Sequence, residues 1–206
     1  ATMGLGGHAE GILARGKDCT VIGMDRDEKA LEIAKERLRD YKKIYFIQDQ
    51  FSNIGSAVKN MGYEKVDGIL LDIGVSTLHL KSEGRGFSFL RDEPLDMRYD
   101  PSGDSPTAFE MIKNLSEQEL EKIFREYGEE KLSRKIARLI VEKRESKEIR
   151  TTQDLVKIIE EADKYRRGRI HPATKVFQAL RIAVNDELRV LKNVLPEAVE
   201  ALNSGG

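Results

Sequence analysis

The stretch Ala1-Thr2-Met3-Gly4-Leu5-Gly6-Gly7-His8, read together with Asp25, decides the fold. Three glycines in four positions precede a helical pattern, which predicts a strand-to-helix turn whose backbone a ligand can approach closely. An apolar run, Thr20–Met24, then ends at Asp25. A glycine turn, a helix, a second strand and a terminal acid form the first half of a nucleotide-type site. In such a site the N–H groups of the turn face the ligand, and the acid accepts hydrogen bonds from ribose hydroxyls.

The spacing of the glycines bears on which ligand this turn would hold. The dinucleotide fingerprint places a third glycine three residues after the second, whereas here Ala9 occupies that position and Gly7-His8 follow Gly6 directly. The turn therefore favours a ligand without a pyrophosphate, such as S-adenosylmethionine, over NAD. An ordinary tight turn beside a helix-capping acid would give the same pattern, so the spacing leaves both interpretations open.

The first 73 residues alternate between helical and strand patterns. The predicted elements are helices over 8–15, 27–38 (with Asp27 as N-cap) and 53–61, and strands over 19–24, 44–48 and 66–72. Short connections in a βαβαβαβ order predict an α/β fold with a parallel sheet covered on both faces. The strand that should precede the turn is almost absent, and Asn203-Ser-Gly-Gly206 should lead into another strand. We therefore expect a chain truncated at both ends.

The second half of the chain carries helical patterns only. The predicted helices cover 107–113, 116–127 (opened by a capping box at Ser116–Glu119), 129–143, a segment capped by Thr152, 173–191 and 196–202. About 95 residues without a strand predict a helical domain inserted after the fourth strand. The predicted domains are 1–103, 104–188 and a return helix in 189–206. Residues 74–107 lack a period, but their arginines and aromatics predict an ordered, functional segment.

Composition restricts the classes of partner and chemistry. With 35 basic and 36 acidic side chains the net charge is −1, so attraction to nucleic acid or membrane must be local. The single cysteine, Cys19, excludes an internal disulfide and a Cys-based zinc site. The three histidines, His8, His79 and His171, are too scattered for a metal motif, so we predict no metal. The absence of a signal peptide and of an 18-residue apolar run predicts a cytoplasmic protein without membrane contact.

Two groups of residues are candidates for a binding surface. Parallel strand ends meet at one sheet edge, which should collect Gly6, Gly7, Asp25, Phe51 and Asp72. Phe51 could stack on an adenine ring or simply pack in the core, and a carboxylate could bind an amine. The chain from Lys164 to Arg181 has six Lys/Arg and no acid, and Lys131–Arg150 has eight against three acids. Such stretches are about equally typical of a surface that contacts RNA or DNA and of a helix surface that simply faces water. The residues predicted to bind RNA are Arg85, Arg98, Arg166, Arg167, Arg169 and His171.

Taken in order, the motifs of this chain resemble one family. The motifs are Gly4–His8, Gly23–Asp27, Asp67–Ser76, Gly84–Phe89, Pro94–Arg98, Tyr127–Glu130, Thr151-Thr152 and His171–Leu188. Together they resemble the RsmH (MraW) family of S-adenosylmethionine-dependent methyltransferases of bacterial small-subunit ribosomal RNA. Each motif is weak alone, but their order is specific and covers essentially all 206 residues.

The resemblance implies a Rossmann-like class I methyltransferase sheet with an inserted helical domain. It implies S-adenosylmethionine as cofactor and transfer of its methyl group to the N4 amine of a cytidine in the decoding centre of 16S rRNA, with the small ribosomal subunit as partner. By position, the cofactor site would contain Gly6, Gly7, His8, Asp25, Phe51, Asp72 and His79. His79 stands where the family usually has Gln.

The resemblance does not identify the base that accepts the proton of the amine. Asp72 is the nearest candidate, although Asp72-Ile-Gly-Val replaces the Asn/Asp/Ser-Pro-Pro-aromatic motif of many amino-methyltransferases. Around the target, Arg85, Phe87, Phe89 and Arg98 could supply stacking and phosphate contacts. An exposed apolar helix face would support a homodimer. Two rival classes remain, namely another adenosyl- or nucleotide-dependent enzyme and a non-catalytic RNA-binding or assembly module.

Overall fold

The protein is described by a computed structural model that covers residues 2–16, 18–74, 84–163 and 171–206. Its contacts divide the chain into two compact units, residues 1–78 with 188–206, and residues 79–187. The first division lies at residue 78, whereas the sequence placed a domain boundary at 103. The chain returns to the first unit after residue 187, one residue from the predicted 188.

The first unit is built on a short parallel sheet. Strands β1 (Val21–Asp25) and β2 (Ile44–Gln48) pair in parallel, in register from Val21 opposite Ile44 to Asp25 opposite Gln48. On the other side of β1, Thr2 forms a parallel bridge with Met24, and the Met3 N–H donates to the Met24 carbonyl over 2.7 Å. The residues just before the glycine turn therefore extend the sheet, as predicted.

The predicted fourth strand, 66–72, is not a strand in the described part of the chain. Val66 makes one parallel bridge, to Leu202, and the Asp72 N–H donates to the Thr2 hydroxyl over 2.7 Å. One bridge and one bond to a side chain do not make a ladder of backbone hydrogen bonds, and a ladder is what defines a strand. The bridge between Val66 and Leu202 still confirms that the chain after the last helix lies parallel to this segment.

Three helices surround this sheet early in the chain. They are α1 (Gly7–Arg15), α2 (Glu28–Arg37) and α3 (Ile54–Asn60), the last preceded by a 3₁₀ turn at Phe51–Asn53. Asp27 caps α2 as predicted, because its carboxylate accepts the N–H groups of Lys29 and Ala30. Two apolar clusters hold these layers together. One contains Met3, Ala9, Leu31, Ala34 and Leu38, and the other contains Met24, Ile54, Ala57, Val58 and Val194.

In the described part of the second unit, a non-helical segment, 84–107, precedes a series of helices, and Pro94 forms one isolated antiparallel bridge with Thr151. The helices of this unit are α4 (Ala108–Asn114), α5 (Glu117–Glu126), α6 (Ser133–Arg144), α7 (Thr152–Ala162) and α8 (Ala173–Val184). Helix α9 (Glu187–Ala201) begins at Glu187, the last residue of the second unit, and its other residues belong to the first unit. Capping boxes open three of them, at Thr107, Ser116 and Thr151. The box at Ser116 was predicted. The cap of α7 is Thr151 rather than the predicted Thr152, which is fully buried as the first residue of the helix.

Three helix boundaries in the second half differ from the prediction by four residues or more. Helix α6 begins at Ser133 rather than 129, because Glu129 has a left-handed φ of 49° that a helix cannot contain. The predicted helix 173–191 breaks at Asn185–Asp186, where Asp186 has a φ of 50°. A single helix then continues through Pro196, so the predicted start at 196 is wrong. Pro196 has no backbone N–H to donate, yet the helix extends on both sides of it, from Glu187 to Ala201.

Candidate functional site

Asp25 connects the glycine turn to the end of β1. Its Oδ2 accepts the Gly4 N–H over 2.8 Å, and its Oδ1 accepts the Asp27 N–H over 3.0 Å. A carboxylate offers about four acceptor positions, so two remain after these bonds. The acid that the sequence assigned to the ligand is therefore also the residue that fixes the turn in place.

The turn has the backbone geometry that only glycine adopts easily. Gly4 and Gly6 have φ values of 50° and 82°, in the left-handed region. A Cβ on Gly6 would also meet Leu38 Cδ1 at 3.0 Å, because the turn lies directly on α2. Gly7 begins α1 and is exposed, and the first N–H groups of a helix have no partner within that helix. This arrangement suits a ligand that approaches the main chain.

His8 and Asp72 lie together at the same sheet edge. His8 Nε2 is 3.2 Å from Asp72 Oδ2, and the two side chains are 62% and 65% exposed. The Asp72 N–H is held by Thr2, next to the start of the turn. Two predicted site residues, 64 positions apart in the chain, are thus in direct contact and accessible from solvent.

The end of β2 contributes a second acid and an aromatic ring. The Asp49 N–H donates to the Asp25 carbonyl over 3.1 Å, so the two strand ends are adjacent. Asp49 Oδ1 accepts the Gln50 N–H and the Asn53 side-chain amide, which orders the turn that begins at Phe51. Phe51 is partly buried against the Met24 cluster. Its position fits both interpretations that the sequence left open, a packing residue and one wall of a ring site.

Arg85 and Arg98, predicted to bind RNA, have internal partners in the second unit. Arg85 Nη2 donates to the carbonyls of Arg98 and Tyr99 over 2.7 and 3.1 Å. Arg98 forks onto Asp96 through Nε and Nη2, both at 2.9 Å, and its side chain is only 19% exposed. Burial raises the pKa of Asp96, but the hydrogen bonds and charge of Arg98 outweigh it and lower the pKa below 3.8. Both arginines thus order the segment 84–103, and their RNA role stays a prediction.

His171, Phe87 and Phe89 also contact protein groups. Phe87 is buried and stacks on Tyr99, with centroids 5.6 Å apart. Phe89 stacks on His171 at 4.7 Å. His171 Nδ1 accepts the Ala173 N–H, while the side chain remains 38% exposed. His171 therefore keeps an accessible edge.

A buried polar cluster at the α8–α9 break escaped the sequence analysis. The Glu187 carboxylate, 8% exposed, accepts hydrogen bonds from Arg181 Nε and Nη2 and from the Tyr99 hydroxyl, at 2.8, 3.0 and 3.0 Å. Asn185 accepts the Tyr99 N–H and donates to the Met97 carbonyl, both at 2.7 Å. The motif His171–Leu188 contains Arg181, Asn185 and Glu187, but Tyr99 and Met97, which bond to the last two, lie more than 80 positions away. Their pairing therefore had no local signal.

Some predicted residues lie outside the described residues. They are His79, Arg166, Arg167 and Arg169. Within the described ranges, no group of three or more His, Cys, Asp or Glu side chains is arranged to hold a metal ion. No helix in the same ranges is long and apolar enough to cross a membrane.

The fold and the site define a class of protein. A glycine turn is tied to the acid that ends the next parallel strand, and Asp72 lies at the same edge, which is the arrangement of a Rossmann-like α/β protein with a ligand site at its carboxyl edge. The sequence model of the MraW methylase family matches residues 1–206, and the chain belongs to that family.

Curated relatives agree with this membership. The chain is 46% identical over 211 residues to a protein of Clostridium botulinum (strain 657 / Type Ba4) and 46% identical over 209 residues to one of Persephonella marina. It is 47% identical over 205 residues to one of Hydrogenobaculum sp.. Each is named "Ribosomal RNA small subunit methyltransferase H". The alignments cover all of this chain and 67%, 71% and 68% of those relatives, so the chain spans about two thirds of their length.

Proposed function

We propose that this protein transfers a methyl group from S-adenosylmethionine to the N4 amine of a cytidine in the decoding centre of bacterial 16S rRNA. Membership in the MraW methylase family supports methyl transfer, and the names of the relatives support small-subunit ribosomal RNA as the substrate. The choice of the N4 atom and of the cytidine comes from the family resemblance of the motifs. Because the small ribosomal subunit is a cytoplasmic particle in bacteria, we place the protein there.

One observation carries the proposal: the glycine turn, Asp25 and Asp72 are distant in sequence but lie together at one edge of the sheet. Asp25 holds the turn through the Gly4 N–H, and Asp72 is reached by both His8 and Thr2. A ligand placed outside these strand ends would meet backbone N–H groups, two carboxylates and an imidazole.

The chemistry of these groups fits S-adenosylmethionine. The two acceptor positions left on Asp25 match the two hydroxyls of a ribose, and the exposed Gly7 presents no side chain to a ligand at the start of α1. Phe51, half-buried after β2, offers a ring for an adenine. When bound, the cofactor supplies a methyl group on a positively charged sulfur.

Asp72 is the residue we propose to accept the proton of the amine. The lone pair of a cytosine amine is delocalised into its ring, so the amine needs a positioned acceptor for its proton as the new bond forms. Asp72 is 65% exposed at the strand edge, and His8 Nε2 lies 3.2 Å from its Oδ2. In this proposal His8 orients the carboxylate through Oδ2, and Oδ1 accepts the proton.

Methyl transfer to RNA tests the proposal directly. Small-subunit RNA is incubated with the protein and S-adenosylmethionine tritiated on the methyl group, and the RNA is then digested and its nucleosides separated. Label in N4-methylcytidine is the expected result. Label in another nucleoside would still support methyl transfer to RNA but would refute the assignment of the N4 atom of cytidine. No label in any RNA, with the cofactor still bound, would favour a non-catalytic RNA-binding module.

Calorimetric titration of S-adenosylmethionine tests the role of Asp25. In Asp25→Asn one carboxylate oxygen becomes an NH₂ group, which must face the N–H of Gly4 or of Asp27, a donor against a donor. We expect cofactor affinity to fall at least about tenfold, the effect of one lost charge-assisted hydrogen bond. Asp18→Asn, an exposed acid paired with Lys43, is the matched control. Equal affinity of the two variants would refute the ribose role.

The homodimer stays a prediction. Helix α9 does expose apolar side chains of the kind such an interface would use, with Leu188, Leu195 and Val199 at 49%, 49% and 69%. Sedimentation or light scattering of the protein in solution would measure its oligomeric state.

A further inference from the structure

The eight basic residues of Lys131–Arg150 divide into two groups of four, and the second group is bound by the protein itself. Lys143 and Lys147 pair with carboxylates at 2.7 and 2.8 Å, and Arg150 also pairs with one. Arg144 donates to two backbone carbonyls at 2.6 and 2.7 Å. Each of these four cations therefore has a partner within the second unit, and its role there is structural.

The first group forms a row on one face of α6, called here the α6 stripe. Lys131 lies in the turn before the helix, and Arg134, Lys135 and Arg138 follow at the spacing that places side chains on one helical face. All four residues are exposed, whereas Ile136 is buried on the opposite face. Because a helix rises by about 1.5 Å per residue, the stripe is roughly 10 Å long.

Three cations of the α6 stripe can bind an anion that comes from solvent. In the part of the chain that the structure describes, Lys131 and Arg134 form no ion pair and no side-chain hydrogen bond. Arg138 Nε lies 3.5 Å from Glu142, but both side chains are more than half exposed, at 58% and 59%. An exposed pair of this kind contributes about 0–1 kcal/mol, so another anion can replace the carboxylate at little cost.

The remaining contacts hold the stripe in place and leave it positive. Lys135 Nζ donates to the Ala162 carbonyl at 2.7 Å, a bond to a neutral group that leaves the charge of the lysine uncompensated. Lys175 Nζ donates to the Glu129 carbonyl at 2.8 Å, which brings a fifth cation to the turn before α6. The carboxylates of Glu129 and Asp163 and the one acid of α6 itself adjoin these five cations. The surface is therefore net positive.

We infer that the α6 stripe binds the phosphodiester backbone of RNA. A row of exposed cations on a packed helix meets successive phosphates of one strand, and such contacts supply affinity that does not depend on base sequence. The identity of the strand as ribosomal RNA rests on the proposed function, whereas the binding of phosphates rests on the stripe alone. The stripe positions the RNA and takes no part in the transfer of the methyl group.

The test compares three full-length proteins on two RNAs. The proteins are wild type, the double variant Lys131→Gln/Arg134→Gln, and the matched control Lys35→Gln/Lys157→Gln, which also removes two exposed cations, both outside the stripe. The RNAs are a fluorescein-labelled fragment of small-subunit ribosomal RNA and a labelled polyuridylate of the same length. Fluorescence anisotropy measures Kd at several concentrations of KCl.

Loss of the two cations should weaken binding and reduce its dependence on salt. At about 0.1 M KCl we expect the stripe variant to bind both RNAs about tenfold more weakly than wild type, with a slope of log Kd against log KCl concentration smaller by about 1.4–1.8. Each phosphate contact contributes about 0.7–0.9 to that slope. The control should keep the affinity and slope of wild type, and thermal unfolding should change in neither variant because the replaced side chains are exposed.

Binding and methyl transfer are measured separately, so the two proposals fail separately. An unchanged slope, or an equal loss of affinity in the stripe variant and the control, would overturn the inference. Unchanged RNA affinity would do the same and would assign the stripe to an acidic protein surface. In methylation assays the stripe variant should raise KM for the RNA and leave kcat unchanged, and a fall in kcat alone would contradict a positioning role. If wild type methylates no RNA, the proposed function fails, while a loss of polyuridylate binding confined to the stripe variant would still support the stripe.

Discussion

Removing the Glu187 carboxylate should destabilise the second unit far more than removing an exposed acid. Glu187 is 8% exposed and is the common acceptor for Arg181 and the Tyr99 hydroxyl. In Glu187→Ala the guanidinium of Arg181, 20% exposed, loses both of its bonds to the carboxylate. The Tyr99 hydroxyl loses its acceptor at the same time. The variant thus leaves a largely buried charge without compensation.

The size of the effect follows from burial. Breaking a buried ion pair by removing one partner costs about 3–5 kcal/mol, and an exposed pair about 0–1 kcal/mol. Because Arg181 keeps some contact with water, we expect the lower end, about 3 kcal/mol. Glu187→Gln keeps one acceptor oxygen but turns an NH₂ group toward a donor, so we expect roughly 2 kcal/mol.

Urea unfolding followed by circular dichroism measures the free energy of unfolding. Hydrogen exchange at the Tyr99 amide, which is bonded to Asn185, reads the cluster locally. The control is Glu36→Ala, whose pair with Arg39 is exposed at 74% and 67% and should cost less than about 0.5 kcal/mol. Arg181→Met combined with Glu187→Ala should recover part of the loss, since no uncompensated charge remains. If Glu187→Ala matched Glu36→Ala and left exchange at Tyr99 unchanged, the cluster would have no stabilising role.

Two further predictions concern the segment 84–103. Because the pKa of Asp96 is lowered in the folded protein, its contribution to stability should be complete well above pH 3.8 and should disappear as the pH falls through the lowered value. The difference in unfolding free energy between wild type and Asp96→Asn should shrink over that acidic range, and a difference independent of pH would contradict the pairing with Arg98. Gly86→Ala should cost several kcal/mol more than Gly62→Ala in urea unfolding. Both glycines have positive φ, but a Cβ at Gly62 would lie in open space, whereas a Cβ at Gly86 would collide with the backbone carbonyl of Pro94. Equal losses of stability in the two variants would show that the backbone at Pro94 can move away from residue 86.

Much of the candidate site could be predicted from the sequence because its parts are local. The glycine turn, the acid after β1 and the aromatic after β2 are each encoded by spacing of a few residues, and parallel topology brings strand ends to one edge. The contact of His8 with Asp72 needed the fold, because it depends on which segment lies beside Thr2–Met3. The predicted strand 66–72 also depended on the fold, since an apolar run becomes a strand only when another segment pairs with it along its length, and among the described residues only Val66 forms a bridge, to Leu202.

The same division holds across the whole molecule. By itself, the sequence determined the elements with local signals, such as β2 at Ile44–Gln48, the cap at Asp27 and the capping box at Ser116. Only the tertiary structure decided that the last long helix starts at Glu187 and continues through a proline. That break is stabilised by bonds from Asn185 and Glu187 to the segment around Tyr99, 86 and 88 positions away. Hydrophobic periodicity and capping report only on neighbours within a few residues. Hydrogen bonds between distant segments form only after the chain has folded, so no local sequence pattern predicts them.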